Sequence, residues 1–254
     1  MIVPILIQIV KKPYVYGINN GDSQRLQEQE GDNMKIAVIA GTQVDTRMGV
    51  DYVEHKNAEA GERLAEPVFL PVTDTCDDQI KFQYSGYEDK RRRMDEIFDA
   101  AGSEGVQAYF IYCNSLSGAF DFDKYSKERD VKIVTPLQIY RELGKRYRRI
   151  GFISANNLSA HNIEKHLMSQ NEELYAIGSG NMAIVSAIEA GRAPSDIVRE
   201  LGLDHMVQYM EACGCEALLL GCTHFPYIKE ELEKICTIPV IDPADEMFAA
   251  VMAD

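Results

Sequence analysis

The sequence predicts an α/β protein built from two similar lobes that face each other across a cleft. Two observations carry that expectation. From Met34 onward, short apolar runs alternate with longer amphipathic stretches, the pattern of parallel β-α units. Two strand-like segments are also echoed later in the chain at nearly equal offsets. IAVIAGTQ (36–43) is echoed by IGFISANN (150–157), and AYFIYCNS (108–115) by ALLLGCTH (217–224).

The first 33 residues stand outside this pattern. MIVPILIQIV is apolar for only about ten positions before Lys11-Lys12, too short to span a bilayer. It lacks the leading positive charge and small-residue cleavage site of a secretory signal. NNGDSQRLQEQEGDN then reads as linker. Residues 1–33 are therefore expected to be a disordered or non-native extension, with a docked N-terminal strand as the alternative. The strands follow in order: KIAVIAG (35–41), PVFLPV (67–72), AYFIYC (108–113), IVTP (133–136), RIGFISA (149–155), ELYAIG (173–178), ALLLGC (217–222) and PVID (239–242). Near-continuous apolar runs of this length suit strands buried on both faces. Helices are expected between them, over 88–101, 136–147, 159–170, 181–190, 195–213 and 226–235, and Pro226 sits where a first-turn proline belongs.

Composition narrows the function. Lys and Arg total 26 against 40 Asp and Glu, a net charge of −14. Nucleic acid and anionic membranes repel such a surface, so neither is an expected partner. An anionic small molecule would have to be held by local donors and helix N-termini. The six cysteines follow no framework spacing and read as reduced thiols of a cytoplasmic protein. No Walker-type loop appears, and the G-x-G at 178–180 is too little for a nucleotide site.

Two of the cysteines carry the chemistry. A lone cysteine after an apolar run is usually core. Cys113 and Cys222, however, each close a strand, precede a polar pair (Asn114-Ser115 and Thr223-His224) and stand before a helix start whose N–H groups favour a thiolate. Ligands of open α/β sheets bind outside the carboxyl ends of strands, so two facing lobes would bring both thiols to one cleft. Inverting a stereocentre needs a base on one face and an acid on the other. A thiol, with an ordinary pKa of roughly 8.5, serves as either. Asn114, Ser115, Thr223 and nearby backbone N–H groups are candidate donors for the carbanion-like charge that develops.

GCTHFP (221–226) resembles the glutamate racemases of the aspartate/glutamate racemase superfamily, and CNS (113–115) resembles that family's first cysteine motif. The resemblance implies two flavodoxin-like lobes related by pseudo-two-fold symmetry with the active site between them. The first lobe would comprise 34–134 and 237–254, with PVID completing its sheet, and the second 135–236. It implies that Cys113 and Cys222 are the catalytic pair, acting on the D- and L-enantiomer respectively, with His224 beside the second. It makes Glu189 in IEAG (188–191) a candidate to assist Cys222. In glutamate racemases the first strand ends in Asp-Ser-Gly; here Ala40-Gly41-Thr42 stands instead, and the nearest acid is Asp45. Asp45 would have to reach back from the loop. Gly41, Thr42, Gln43, Asn114, Ser115, Asn156, Asn157 and Thr223 form the expected substrate-binding set, and Arg47 is a candidate for holding a side-chain carboxylate.

The implied function is cofactor-independent interconversion of L- and D-glutamate or aspartate, with no metal or pyridoxal and with a homodimer as the expected assembly. The alternatives are aspartate or hydantoin racemase, maleate isomerase, or a non-catalytic dicarboxylate-binding relative. A zinc site from Cys213, Cys215, Cys222, His224 and Cys236 fits no usual ligand spacing. Cys76, Cys213, Cys215 and Cys236 read as structural thiols; His55, His161, His166 and His205, and the basic runs at 90–93 and 145–149, read as solvated surface.

Overall fold

The structure, a computed structural model, describes residues 34–253. The expectation for residues 1–33 and the side chain of Cys76 lie outside the described residues. The first lobe runs β1 (Met34–Ala40), α1 (Gln43–Ala60), β2 (Ala65–Pro71), α2 (Cys76–Tyr84), α3 (Tyr87–Ser103), β3 (Ala108–Ile111), α4 (Asn114–Ala119), α5 (Phe122–Arg129) and β4 (Lys132–Val134). Helix α6 (Pro136–Arg146) leads to β5 (Arg149–Ser154), α7 (Asn157–Met168), β6 (Tyr175–Gly180), α8 (Met182–Glu189), α9 (Pro194–Glu200), α10 (Leu203–Ala212) and β7 (Leu218–Gly221). A 3-10 turn (Phe225–Ile228), α11 (Lys229–Glu233), β8 (Val240–Ile241) and α12 (Pro243–Met252) complete the chain.

The sheet orders are β2-β1-β3-β4 and β6-β5-β7-β8, all parallel. The second sheet thus repeats the first strand for strand, and Cys113 and Cys222 follow equivalent strands. Alternation along each strand explains the packing. In β1, Ile36 and Val38 enter a core shared by both lobes, while Ala37 and Ile39 enter a second core on the outer face. In β7, Leu219 joins the shared core and Leu218 and Leu220 an outer core of the second lobe. The shared core also takes Leu143 of α6, Leu167 of α7 and Phe248 of α12, so these helices tie the lobes together.

Helix starts are chemically marked. Thr42, Thr75, Asn156 and Asp242 each accept a backbone N–H from the first turn of the helix that follows, and Thr135 and Gln138 form a reciprocal capping box around Pro136. Two expectations are corrected. PVID does not complete the first sheet: Val240 and Ile241 pair with Leu218 and Leu219 of β7, because β4 already occupies the equivalent edge of the first lobe. The chain returns to the first lobe only with α12, which packs on β3, β4 and α6. The expected helix 195–213 is two helices, broken at Gly202, whose φ of 67° is left-handed. Among the described residues no helix is long and apolar enough to cross a membrane.

Candidate active site

The carboxyl ends of both sheets open on one cleft of about 530 Å³. Its lining includes Thr42, Asp45, Cys113, Asn114, Ser115, Asn156, Glu189, Cys222, Thr223 and His224. Both cysteines also border a second, small space, with Tyr112 and Asp242.

Cys113 is the N-cap of α4, and its Sγ accepts the Leu116 N–H at 3.5 Å. The Gly41 N–H and the Gln79 Nε2, the latter at 3.6 Å, donate to the same sulfur. Burial pushes this thiol up to about 12, and the Asp45 charge adds to the shift; the Leu116 and Gly41 N–H groups oppose it. Cys113 therefore rests as a protonated thiol.

Asp45 sits in the first turn of α1, where its N–H donates to Thr42 Oγ1 at 3.2 Å and its Oδ2 accepts from Thr42 Oγ1 at 3.1 Å. Its Oδ1 crosses to the second lobe, accepting from Thr223 Oγ1 at 3.4 Å and lying 3.6 Å from His224 Nδ1. Burial raises its pKa, against the charge of His224 and the hydroxyl donors, with Glu189 adding to the rise. A carboxylate is thus presented from the first turn of α1, in contact with residues of both lobes.

Cys222 Sγ lies 3.7 Å from His224 Nδ1, and His224 Nε2 lies 3.3 Å from Glu189 Oε1. Burial alone would lower the His224 pKa. Contacts with Cys222 and Glu189 and the charges of Cys222 and Asp45 outweigh it and hold the ring well above its ordinary value. Glu189 is held below the usual carboxylate range by its bond to His224, partly offset by burial. The second thiol accordingly faces an imidazolium backed by a carboxylate, whereas the first faces neutral donors and a carboxylate.

Asn114 accepts the Tyr140 hydroxyl through its side-chain oxygen, which leaves its NH2 end as a donor. Other expected residues fall outside the cleft. Gln43 is exposed and bonded to Asp74 at 2.7 Å. Arg47 is exposed and stacks over Phe69, 4.9 Å from the ring centroid, so the expected carboxylate clamp is corrected. Both lie two positions from Asp45, and residues so spaced on a helix face different sides. Asn157 points into a separate cavity of about 730 Å³ with His161 and Tyr175, while its neighbour Asn156 lines the cleft and caps Ser159. Gly41 contributes backbone, not a side chain. Among the described residues, no Lys or Arg lines the cleft. Of the five residues weighed for zinc, Cys213 and Cys215 precede β7, Cys222 and His224 follow it, and Cys236 precedes β8, so the strand stands between Cys222 with His224 and the other cysteines. His166, expected at the surface, is half-buried 3.2 Å from Arg141.

Several lining residues were not anticipated. Met182, Val185 and Ser186 precede Glu189 by seven, four and three positions, one helical face that Glu189 itself signals. Gln79, Ile80, Gln83 and Tyr84 come from α2. Its start was readable from Thr75 and Asp78, spaced as an N-cap and an acid at the third position of the first turn.

The sequence profile of the Asp/Glu/Hydantoin racemase family matches residues 44–251. A glutamate racemase from Limosilactobacillus reuteri is 30% identical over 103 residues, a match spanning 39% of this chain and 38% of that protein. A glutamate racemase from Francisella tularensis, solved in complex with D-glutamate, shares the fold with a TM-score of 0.62 and 18% identity over 87% of this chain and 82% of that one. An aspartate racemase homologue from Pyrococcus horikoshii does so with a TM-score of 0.65 and 18% identity over 86% of this chain and 97% of that one. The profile match over most of the chain, on a fold of two like-ordered parallel sheets, establishes that this chain belongs to the Asp/Glu/Hydantoin racemase family.

Proposed function

We propose that this protein is a cofactor-independent racemase that inverts the α-carbon of an acidic amino acid, glutamate or aspartate, with Cys113 and Cys222 as opposed acid and base. One observation carries the reading: two cysteines end equivalent strands of two like-ordered lobes and border a single cleft. In one direction the Cys222 sulfur takes the α-proton of the L-enantiomer while the Cys113 thiol delivers its proton to the opposite face. In the other direction the roles exchange, and no proton is gained or lost overall. His224 neutralises a thiolate on Cys222 and Glu189 holds the imidazolium, whereas the high resting pKa of Cys113 suits it to deliver a proton first.

Among the described residues, the substrate's charge is met without a lysine or arginine. Neutral donors from Asn114, Ser115, Thr223 and Thr42 line the cleft. Helices α1 and α7 start at its wall, with their capping residues Thr42 and Asn156 in its lining. These groups also stabilise negative charge spreading onto the α-carboxylate as the proton leaves.

The test offers L-glutamate, D-glutamate, L-aspartate and D-aspartate separately to reduced protein and follows inversion by chiral chromatography. Inversion of one pair, abolished in Cys113→Ala and in Cys222→Ala, is the expected result. Inversion of neither pair by folded, reduced protein overturns the reading. Tight binding of a dicarboxylate without inversion would then identify a binding protein.

A further inference from the structure

We propose that Gln79 is a positioning residue for the first thiol, its side-chain amide fixing the Cys113 sulfur in the cleft and stabilising its thiolate form. The inference rests on reading Cys113 as one of the two bases. Three donors converge on that sulfur. The Gly41 and Leu116 N–H groups belong to the backbone; the third, Gln79 Nε2 at 3.6 Å, is a side chain from another element.

The amide occupies a place made for it. A Cβ on Gly41 would lie 2.0 Å from Gln79 Nε2 and 2.4 Å from its Cδ, so any side chain at position 41 displaces the amide from the sulfur. The loop entering α2 is tied to the same glycine, with Thr73 N and Oγ1 donating to the Gly41 carbonyl at 3.1 and 2.7 Å. Thr75 then caps α2 through the Asp78 N–H at 3.2 Å. Gly41, Thr73 and Gln79 thus form one unit, which places the amide against the thiol.

The charges around Cys113 show why a donor is needed. Asp45 of α1 and Cys222 beyond β7 both oppose negative charge on the sulfur, as does burial. Cys222 has His224 at 3.7 Å, whereas the strongest influences on Cys113 among the described residues are burial, the Asp45 and Cys222 charges and two backbone N–H groups, none of them a cation. A neutral amide suits a group that must serve as both acid and base. It favours the thiolate by a charge-assisted hydrogen bond but does not itself titrate, so it does not lock the sulfur in one state.

The experiment measures the thiol, not turnover. Full-length wild type, Gln79→Leu and Gln79→Glu are alkylated with iodoacetamide at several pH values between about 7 and 9, the range in which thiolate fraction sets the rate. Peptide mass spectrometry reads Cys113 separately, with Cys213 as the internal reference. Loss of one charge-assisted hydrogen bond predicts alkylation of Cys113 slower by about tenfold in Gln79→Leu, at least as slow in Gln79→Glu, and unchanged at Cys213. A Gln79 that merely covers the thiol would give faster alkylation in Gln79→Leu; that result, or an unchanged rate, overturns the proposal. Failure of wild type to invert any amino acid would remove the functional reading and leave this measurement intact.

Discussion

His224 is the residue on which the second half of the site turns, since its ring touches Cys222, Glu189 and Asp45 at once. Its pKa is raised by partners, so the imidazolium is present at low pH and is lost as pH rises through the folded-state value. Glu189→Gln removes one partner. The His224 ring titration, followed by NMR, is expected to move to lower pH, and an unmoved midpoint would remove Glu189 from its assigned place. His224→Asn is expected to cost about 100-fold in kcat/KM, the scale of a lost acid-base partner. At this scale the sequence was legible where the signal is local: Cys113, Cys222 and His224, singled out by their neighbours, line one cleft. It was not legible for Gln79, whose nearness to Cys113 depends on a bare glycine at position 41 and a loop far along the chain.

Elements explain where the lobes meet. A Cβ on Gly144 of α6 would lie 1.9 Å from the Leu167 carbonyl oxygen of α7, a backbone contact with no room to yield. Gly144→Ala should therefore destabilise the fold by about 1–3 kcal/mol in denaturant unfolding. Asp242, the N-cap of α12, offers a second test. Burial lifts its carboxyl to about 6 from 3.8, against the Ala244 N–H, with Asp245 adding to the rise and Lys229 and Lys56 opposing it. Because the folded-state value is raised, the native state holds this proton more tightly. The corresponding stability is present below about pH 4 and is lost as pH rises to 6, on the order of 3 kcal/mol. Asparagine caps as well as aspartate but carries no charge. Asp242→Asn is expected to raise Tm at pH 8 by roughly 5 °C or more and to leave it nearly unchanged at pH 4. Strands were readable from their apolar runs. The partner of PVID was not, since pairing with β7 is set by the whole lobe and not by four residues.

The whole molecule carries a net charge of −14, and among the described residues no Lys or Arg lines its cleft. On the proposed reading, an anionic substrate would approach against the global field and be held by neutral donors near helix starts. Surface repulsion is screened by salt far more than short hydrogen bonds in the cleft are. Raising ionic strength from about 10 to about 150 mM should lower KM for glutamate or aspartate severalfold; a rise in KM would point to a cationic contact at the site. The two-lobe design was readable from the repeated strand endings, and the matching strand orders are its physical basis.

That design makes its central claim in isotope labelling. The reaction is run in D2O from the L-enantiomer, stopped at low conversion, and the α-hydrogen content of each separated enantiomer is measured. Two opposed thiols predict deuterium at the α-carbon of the D-product, delivered by a solvent-equilibrated Cys113, while recovered L-substrate keeps its hydrogen. Deuterium entering recovered substrate as fast as product, or substrate hydrogen carried into product, would mean a single base and would contradict the account.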